Sequence, residues 1–419
     1  MYAKLVRNFV IYAPSPPKPE IEKSTYHQIQ ASRKFLFPNL REIYCQGRWE
    51  EICFLLSPSL RRVVILEHAE IPSYIPAMFT FINALPKICP DLQSLEAYLD
   101  LPKSALGSIS KLQKLQHLGL EILQSEQINI ENLSGISLLP NLRLLQVSRV
   151  DWSRSDVPPF LPIPGPPEAF CALQQLDLSA SLESIANWLP SFISPNLTTF
   201  TVEIDATWSE DENELSAIAK ELCYQFCDTL ANHARSPSST LRTFSFIGGS
   251  SDVLPTEVEA FQPLFALRGL ETLVFDLPLI GFDDQTLIKW ARAWPNLKIF
   301  RVGASSEDDS MITLFGVREL LQLRPDLKSL TLPFHATELD SVPEIPTTPS
   351  LHHGLKDWDI ANSQVNSSTL SPVLAILNWV FLDMWRVKSR RFEMADDAVS
   401  EVLPHSLVQV AVQAKVHSR

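Results

Sequence analysis

A leucine followed by apolar residues at the third and fifth positions beyond it recurs twelve times. No other feature of the chain constrains its fold as much. The copies begin at Leu40, Leu60, Leu92, Leu115, Leu142, Leu173, Leu197, Leu241, Leu270, Leu297, Leu327 and Leu355. Successive leucines lie 20 to 44 residues apart, with a mean of about 29. A unit of that size cannot bury its own apolar face, but stacked units can bury a continuous one. Within each unit the alternation is that of a short strand, so its first, fourth and sixth residues face a core and those between face outward.

The pattern reads as an α/β leucine-rich-repeat solenoid of irregular repeats. The expected form is a ribonuclease-inhibitor-like horseshoe, with parallel strands on the concave face and helices on the convex face. Seven prolines punctuate it: Pro38, Pro58, Pro90, Pro140, Pro195, Pro295 and Pro325 each stand two residues before a repeat leucine. Proline cannot continue a helix and holds its predecessor extended, so these positions should end one helix and begin the next strand. Helices are expected over 209–234, with a Ser209/Glu212 capping box, and over 283–294 and 311–323. A second capping box, Thr256/Glu259, is expected ahead of EAFQPLFAL. The proline-containing stretches 151–168 and 337–354 and the short connector 234–240 read as loops. Three regions result: an N-terminal cap over 1–34, a repeat domain over 35–365 forming one continuous arc, and a C-terminal helical cap over 366–419.

Charge bears on function. The net charge is −13, and residues 151–419 hold 19 Lys and Arg against 35 Asp and Glu. Such a surface argues against nucleic-acid binding, which needs basic surface to displace counterions. Residues 372–385 are too short an apolar run to span a bilayer, and no membrane association is expected. The six cysteines form no C-x-x-C pair. Cys223 and Cys227 share a helix face at metal-ligand spacing, but no second Cys or His pair accompanies them, and a core role fits better. No phosphate-binding loop, dinucleotide fingerprint, zinc-protease motif or nucleophile elbow occurs. His352 and His353 read as an exposed loop pair. The acidic runs 210–214 and 307–309 lack the alternating ligands of a calcium loop. We therefore expect no catalytic residue, no cofactor and no metal.

What remains is the concave face. Alternation places Glu42, Tyr44, Glu96, Tyr98, His117, Glu121, Asp177, Glu203, Asp276, Arg301, Asp357 and Asp359 there, with Arg62 and Gln146 among them. Tyrosines flanked by acids (Glu42/Tyr44, Glu96/Tyr98) are suited to anchoring a protein partner. A monomer that holds a target protein on this face is expected.

RNFVIYAP (7–14), FLFPNLREIYCQGRWEEICFLLSPSLRRVVI (35–65) and the PNL-type repeats after them resemble the F-box/leucine-rich-repeat proteins of fungi. The resemblance implies the substrate-recognition part of an F-box subunit of SCF-type ubiquitin ligases, in the cytoplasm or nucleus. Two departures stand out. Residues 1–34 lack the L-P opening and the leucine and tryptophan pattern of an F-box, so contact with the cullin-ligase adaptor is expected only if such a segment lies upstream. The asparagine that usually follows the strand is missing too: Val150, Asp205 and Ser305 hold that place in three repeats. The alternative reading is a free-standing repeat scaffold or inhibitor-type binder unconnected to ubiquitin.

Overall fold

Ten of the repeats begin with a tight turn, and in seven of them a proline stands at its second position. The repeat leucine donates its N–H to the carbonyl three residues earlier, as in Leu40 to Phe37 (3.1 Å), Leu60 to Ser57 (3.1 Å), Leu197 to Ser194 (3.1 Å) and Leu327 to Arg324 (3.1 Å). Proline fits the second position of such a turn because its φ is already set. The residue after the leucine then supplies a carbonyl that accepts from two consecutive N–H groups of the next repeat. Arg41 O accepts from Arg61 N (2.8 Å) and Arg62 N (2.9 Å), and Glu271 O accepts from Lys298 N (2.7 Å) and Ile299 N (3.0 Å). These shared bonds fix the register before the strand starts.

A computed structural model describes residues 5–11, 35–46, 53–66, 75–98, 101, 103–121, 130–150, 169–204, 212–234, 240–248, 256–277, 279–303, 311–334, 355–359 and 386–388. The chain divides into two compact units, Met1–Leu197 and Thr198–Arg419.

The first unit carries parallel strands in sequence order: β1 (Asn8–Ile11), β2 (Glu42–Gln46), β3 (Arg62–Leu66), β4 (Ser94–Tyr98), β5 (His117–Glu121), β6 (Leu144–Val150) and β7 (Gln175–Ala180). Its helices are α1 (Ile75–Ile88), α2 (Lys103–Ile109), α3 (Ile130–Ser137) and α4 (Leu182–Phe192). Helices α1, α2 and α3 pack one on the next. The core is aliphatic: Ile43, Val63, Leu95, Leu118, Leu145 and Leu176 fill the fourth repeat position, each at most 1% exposed.

In the second unit the parallel order is β8 (Thr199–Ile204), β9 (Thr243–Gly248), β11 (Thr272–Asp276), β13 (Ile299–Gly303), β14 (Ser329–Thr331), β15 (Asp357–Asp359) and β16 (Arg386–Lys388). A separate two-stranded pair joins β10 (Thr256–Glu257) to β12 (Leu279–Ile280). Helices α5 (Glu212–Ala234), α6 (Asp284–Ala293) and α7 (Leu314–Leu323) accompany a 3₁₀ helix over Val258–Ala266. This core is aromatic. Phe200, Phe244, Phe246, Phe275 and Phe300 are buried with Phe226, Phe261 and Trp290, and ring centroids come as close as 4.7 Å (Phe261–Phe275) and 5.1 Å (Phe275–Trp290). Trp294 satisfies its indole N–H on Leu264 O at 3.1 Å.

All twelve repeat leucines are buried, from 0% exposed at Leu40 to 5% at Leu355. Each of these buried leucines contributes about 1.5–3 kcal/mol relative to exposure. A second ladder was not read from the sequence. The residue before the repeat leucine reaches back to the carbonyl two residues before the leucine of the preceding repeat. Asn141 Nδ2 donates to Gln113 O (2.9 Å), Asn196 to Cys171 O (2.7 Å) and Asn296 to Arg268 O (3.2 Å). Ser59 does the same to Pro38 O (2.7 Å). Where Asp326 holds the position, Arg324 Nη1 supplies Pro295 O instead (3.1 Å). The Asn of the PNL motif therefore clamps neighbouring repeats from the turn that enters the strand.

Several local expectations are corrected. Thr256 starts no capping box. It lies in β10, and the 3₁₀ helix that follows is preceded by Glu257 without a side-chain cap and contains Pro263, which removes one backbone donor. Helix α7 starts at Leu314 rather than 311, because Met311 forms a bridge with Asp283 and Thr313 is the N-cap. Strand structure also extends into both regions expected to be caps: β1 pairs with β2, and Arg386–Lys388, within the expected helical cap, pairs with β15. Ser209, the loops 151–168 and 337–354, the acidic run 307–309 and the His352/His353 pair lie outside the described residues, as do residues 235–239 of the 234–240 connector.

Candidate protein-binding face

Because side chains alternate along each strand, the residues two, four and six places after each repeat leucine share the face of the sheet opposite the core. Strand pairing aligns them in rows. In the first unit one row runs Glu42, Arg62, Ser94, His117, Leu144, Gln175, and the next runs Tyr44, Val64, Glu96, Gly119, Gln146, Asp177. Tyr98 and Glu121 pair in the third row. In the second unit Glu203 and Asp276 each stand opposite Ile247, Arg301 stands between Val274 and Thr331, and Asp357 and Asp359 lie on β15. All fourteen residues singled out by alternation therefore lie opposite the core of their own unit, and none is buried.

The first-unit face is ordered by side-chain bonds. Arg62 Nη2 pairs with Glu96 Oε1 at 2.8 Å, and Tyr98 OH donates to Glu96 Oε2 at 3.4 Å. Partial burial, and then the negative Glu96, push the Tyr98 phenol above its ordinary range, so it stays a neutral donor. Two strands away, Gln146 Nε2 and Gln175 Nε2 both donate to Asp177 Oδ2, each at 3.0 Å. The other oxygen, Asp177 Oδ1, is shielded from solvent and has no hydrogen-bond partner. Gly119 lies between Glu96 and Gln146 in the same row, and a Cβ there would touch Glu96 Cγ at 3.4 Å and Gln146 Oε1 at 3.6 Å. Glu96 and Gln146 thus close over Gly119, which is itself buried between them.

On the second-unit face, Arg301 is exposed and forms no ion pair among the described residues. The Asp276 carboxylate lies over Gly303, where any Cβ would collide with it. Alternation could not show that Gly119 and Gly303 shape this face, because a missing side chain leaves no mark in a hydrophobic pattern. Asp177's dependence on Gln146 and Gln175 was likewise invisible until the register was known.

Among the described residues no group of three or more His, Cys, Asp or Glu side chains could hold a metal ion. Cys223 and Cys227 are both buried on α5, where burial raises the Cys227 thiol well above its usual value. Cys89, pushed up to about 12 by burial, donates its thiol to Ser57 O at 3.2 Å. These thiols are packing groups rather than nucleophiles. No helix among the described residues is long and apolar enough to cross a membrane.

No family model matches the chain, and no curated protein matches it. Among solved structures it is similar to a chain of the Rad7 and Elc1 complex of yeast, with 14% identity over 91% of this chain and 85% of that one and a TM-score of 0.47.

Proposed function

We propose that this protein is a non-catalytic binding module that holds a target protein on the open face of its sheet. The observation that carries this reading is Asp177. A carboxylate oxygen kept from water without a donor among the described residues costs the free fold roughly 1–3 kcal/mol. Its presence beside an ordered Arg62–Glu96–Tyr98 chain suits a surface built to meet donors from another protein. The finer reading is that the module selects substrates for an SCF-type ubiquitin ligase. Its support is the resemblance of residues 7–14 and 35–65 to F-box/leucine-rich-repeat proteins. On that reading the protein works as a monomer in the cytoplasm or nucleus, and the cullin adaptor is engaged through a segment outside the repeats.

The test is affinity capture from the native host, comparing wild type with Tyr98→Ala/Asp177→Ala. Loss of a captured protein at unchanged melting temperature supports the face. Capture that is unchanged overturns it. Measuring the captured protein's half-life with and without the gene then tests the ubiquitin arm: unchanged turnover removes that arm and leaves a scaffold or inhibitor-type binder.

A further inference from the structure

The position directly after each repeat leucine, whose carbonyl accepts the paired N–H groups, lines the edge of the sheet where the chain enters each strand. In the second unit backbone bonds place Arg242, Glu271, Lys298, Lys328 and Lys356 in successive register there. Each donates to the carbonyl of the one before, at 2.6 to 2.8 Å. Arg242, Lys328 and Lys356 are exposed, and Lys298 bonds to Glu271 at 2.5 Å. Glu271 is the one anion in the row, and its carboxyl is held below its usual range chiefly by that hydrogen bond, with Arg242 and Lys328 adding to it. Lys328 and Lys356 form no ion pair among the described residues.

Three lysines therefore stand on adjacent strands, where like charges side by side weaken a sheet. They do so within a stretch, 151–419, in which acids outnumber bases 35 to 19. Solubility is already supplied by the acids and gives no reason for this file. We propose that the row is a docking strip for an acidic stretch of polypeptide in extended conformation. Neighbouring strands lie about 4.8 Å apart, so Arg242 to Lys356 spans about 19 Å, the length of some six extended residues at about 3.4 Å each. A nucleic acid fits less well, because its phosphates call for a broad basic field and this is a single file. The strip is separate from the open face, and its success or failure is independent of Tyr98 and Asp177.

The experiment is fluorescence anisotropy on the full chain with a labelled peptide of alternating glutamate and serine, beside the same peptide with glutamine for glutamate and an oligothymidylate. The glutamate peptide should bind, and raising salt from about 0.05 M to about 0.5 M should weaken it strongly. Lys328→Glu should weaken it about tenfold or more, and Lys328→Gln by less. Lys328→Glu should also leave the melting temperature unchanged or raise it, since the new carboxylate sits between Lys298 and Lys356. Equal affinity of the glutamine peptide, tighter binding of oligothymidylate, or undiminished binding by Lys328→Glu would each overturn the proposal. So would a marked fall in melting temperature for both Lys328 variants, which would make the row structural.

Discussion

The Asp284 carboxylate, in the first turn of α6, accepts the backbone N–H of Thr313 at 2.8 Å and its hydroxyl at 2.6 Å, while Thr313 is itself the N-cap of α7. One repeat thereby fixes where the helix of the next begins. The carboxylate also fills the space over Gly316, where a Cβ would collide with Asp284 Oδ1. Removing a helix-start acceptor costs about 0.5–2 kcal/mol, so Asp284→Ala should destabilise by that order in denaturant titration. Gly316→Ala should also destabilise, through the clash. The double variant should then cost less than the sum, because the first change removes the atom that the second strikes. Strict additivity would show that the two residues are not coupled.

The turn-borne clamp makes a second prediction. Asn141→Ala, Asn196→Ala and Asn296→Ala each remove one side-chain bond to the preceding repeat, and each should cost about 0.5–1.5 kcal/mol. These side chains are exposed, so water replaces part of each bond and values near the lower end are expected. Chemical denaturation of the three single variants checks this, and no loss in any of them would make the ladder incidental.

How much was legible follows from these contacts. Every repeat leucine and the strand after it could be placed from the sequence, because burial and alternation leave a periodic mark. So could α6, whose Asp283 cap accepts from Thr286 N at 2.8 Å. The clamp made by the Asn of PNL is not legible in the sequence, since its partner lies one repeat back and only register reveals it. The β10–β12 pair was missed for the same reason: two-residue strands carry no period. On the open face, alternation placed the charged residues, while the packing over Gly119 and the unpaired oxygen of Asp177 depend on neighbours across strands.

Core and face should separate under mutation. Leu176→Ala and Leu297→Ala, at buried ladder positions, should cost about 2–5 kcal/mol through cavity formation. Arg301→Ala and Asp177→Asn should stay within about 0.5 kcal/mol of wild type, the asparagine still accepting from Gln146 and Gln175. Calorimetric melts of the four variants decide it. Large losses at Arg301 or Asp177 would make the face structural.

Acid stability carries a contribution from the cap of α6. The Asp283 carboxyl is lowered chiefly by the Thr286 backbone N–H bonded to it. A carboxyl lowered on folding stabilises the native state above its unfolded pKa, and that contribution is lost as pH falls through the lowered folded value. Melts taken at decreasing pH below the ordinary aspartate range should show the loss. Asp283→Asn, which still caps but does not titrate, should flatten that part of the profile; an unchanged profile would remove Asp283 as its source.

The central claim is that the open sheet face, not the helical face, meets the target. A photo-crosslinking amino acid placed at Tyr98, on β4, or at Tyr224, exposed on α5, tests it directly in cells. The account predicts a discrete crosslinked partner from position 98 and none from position 224. A partner captured only from position 224 would contradict it.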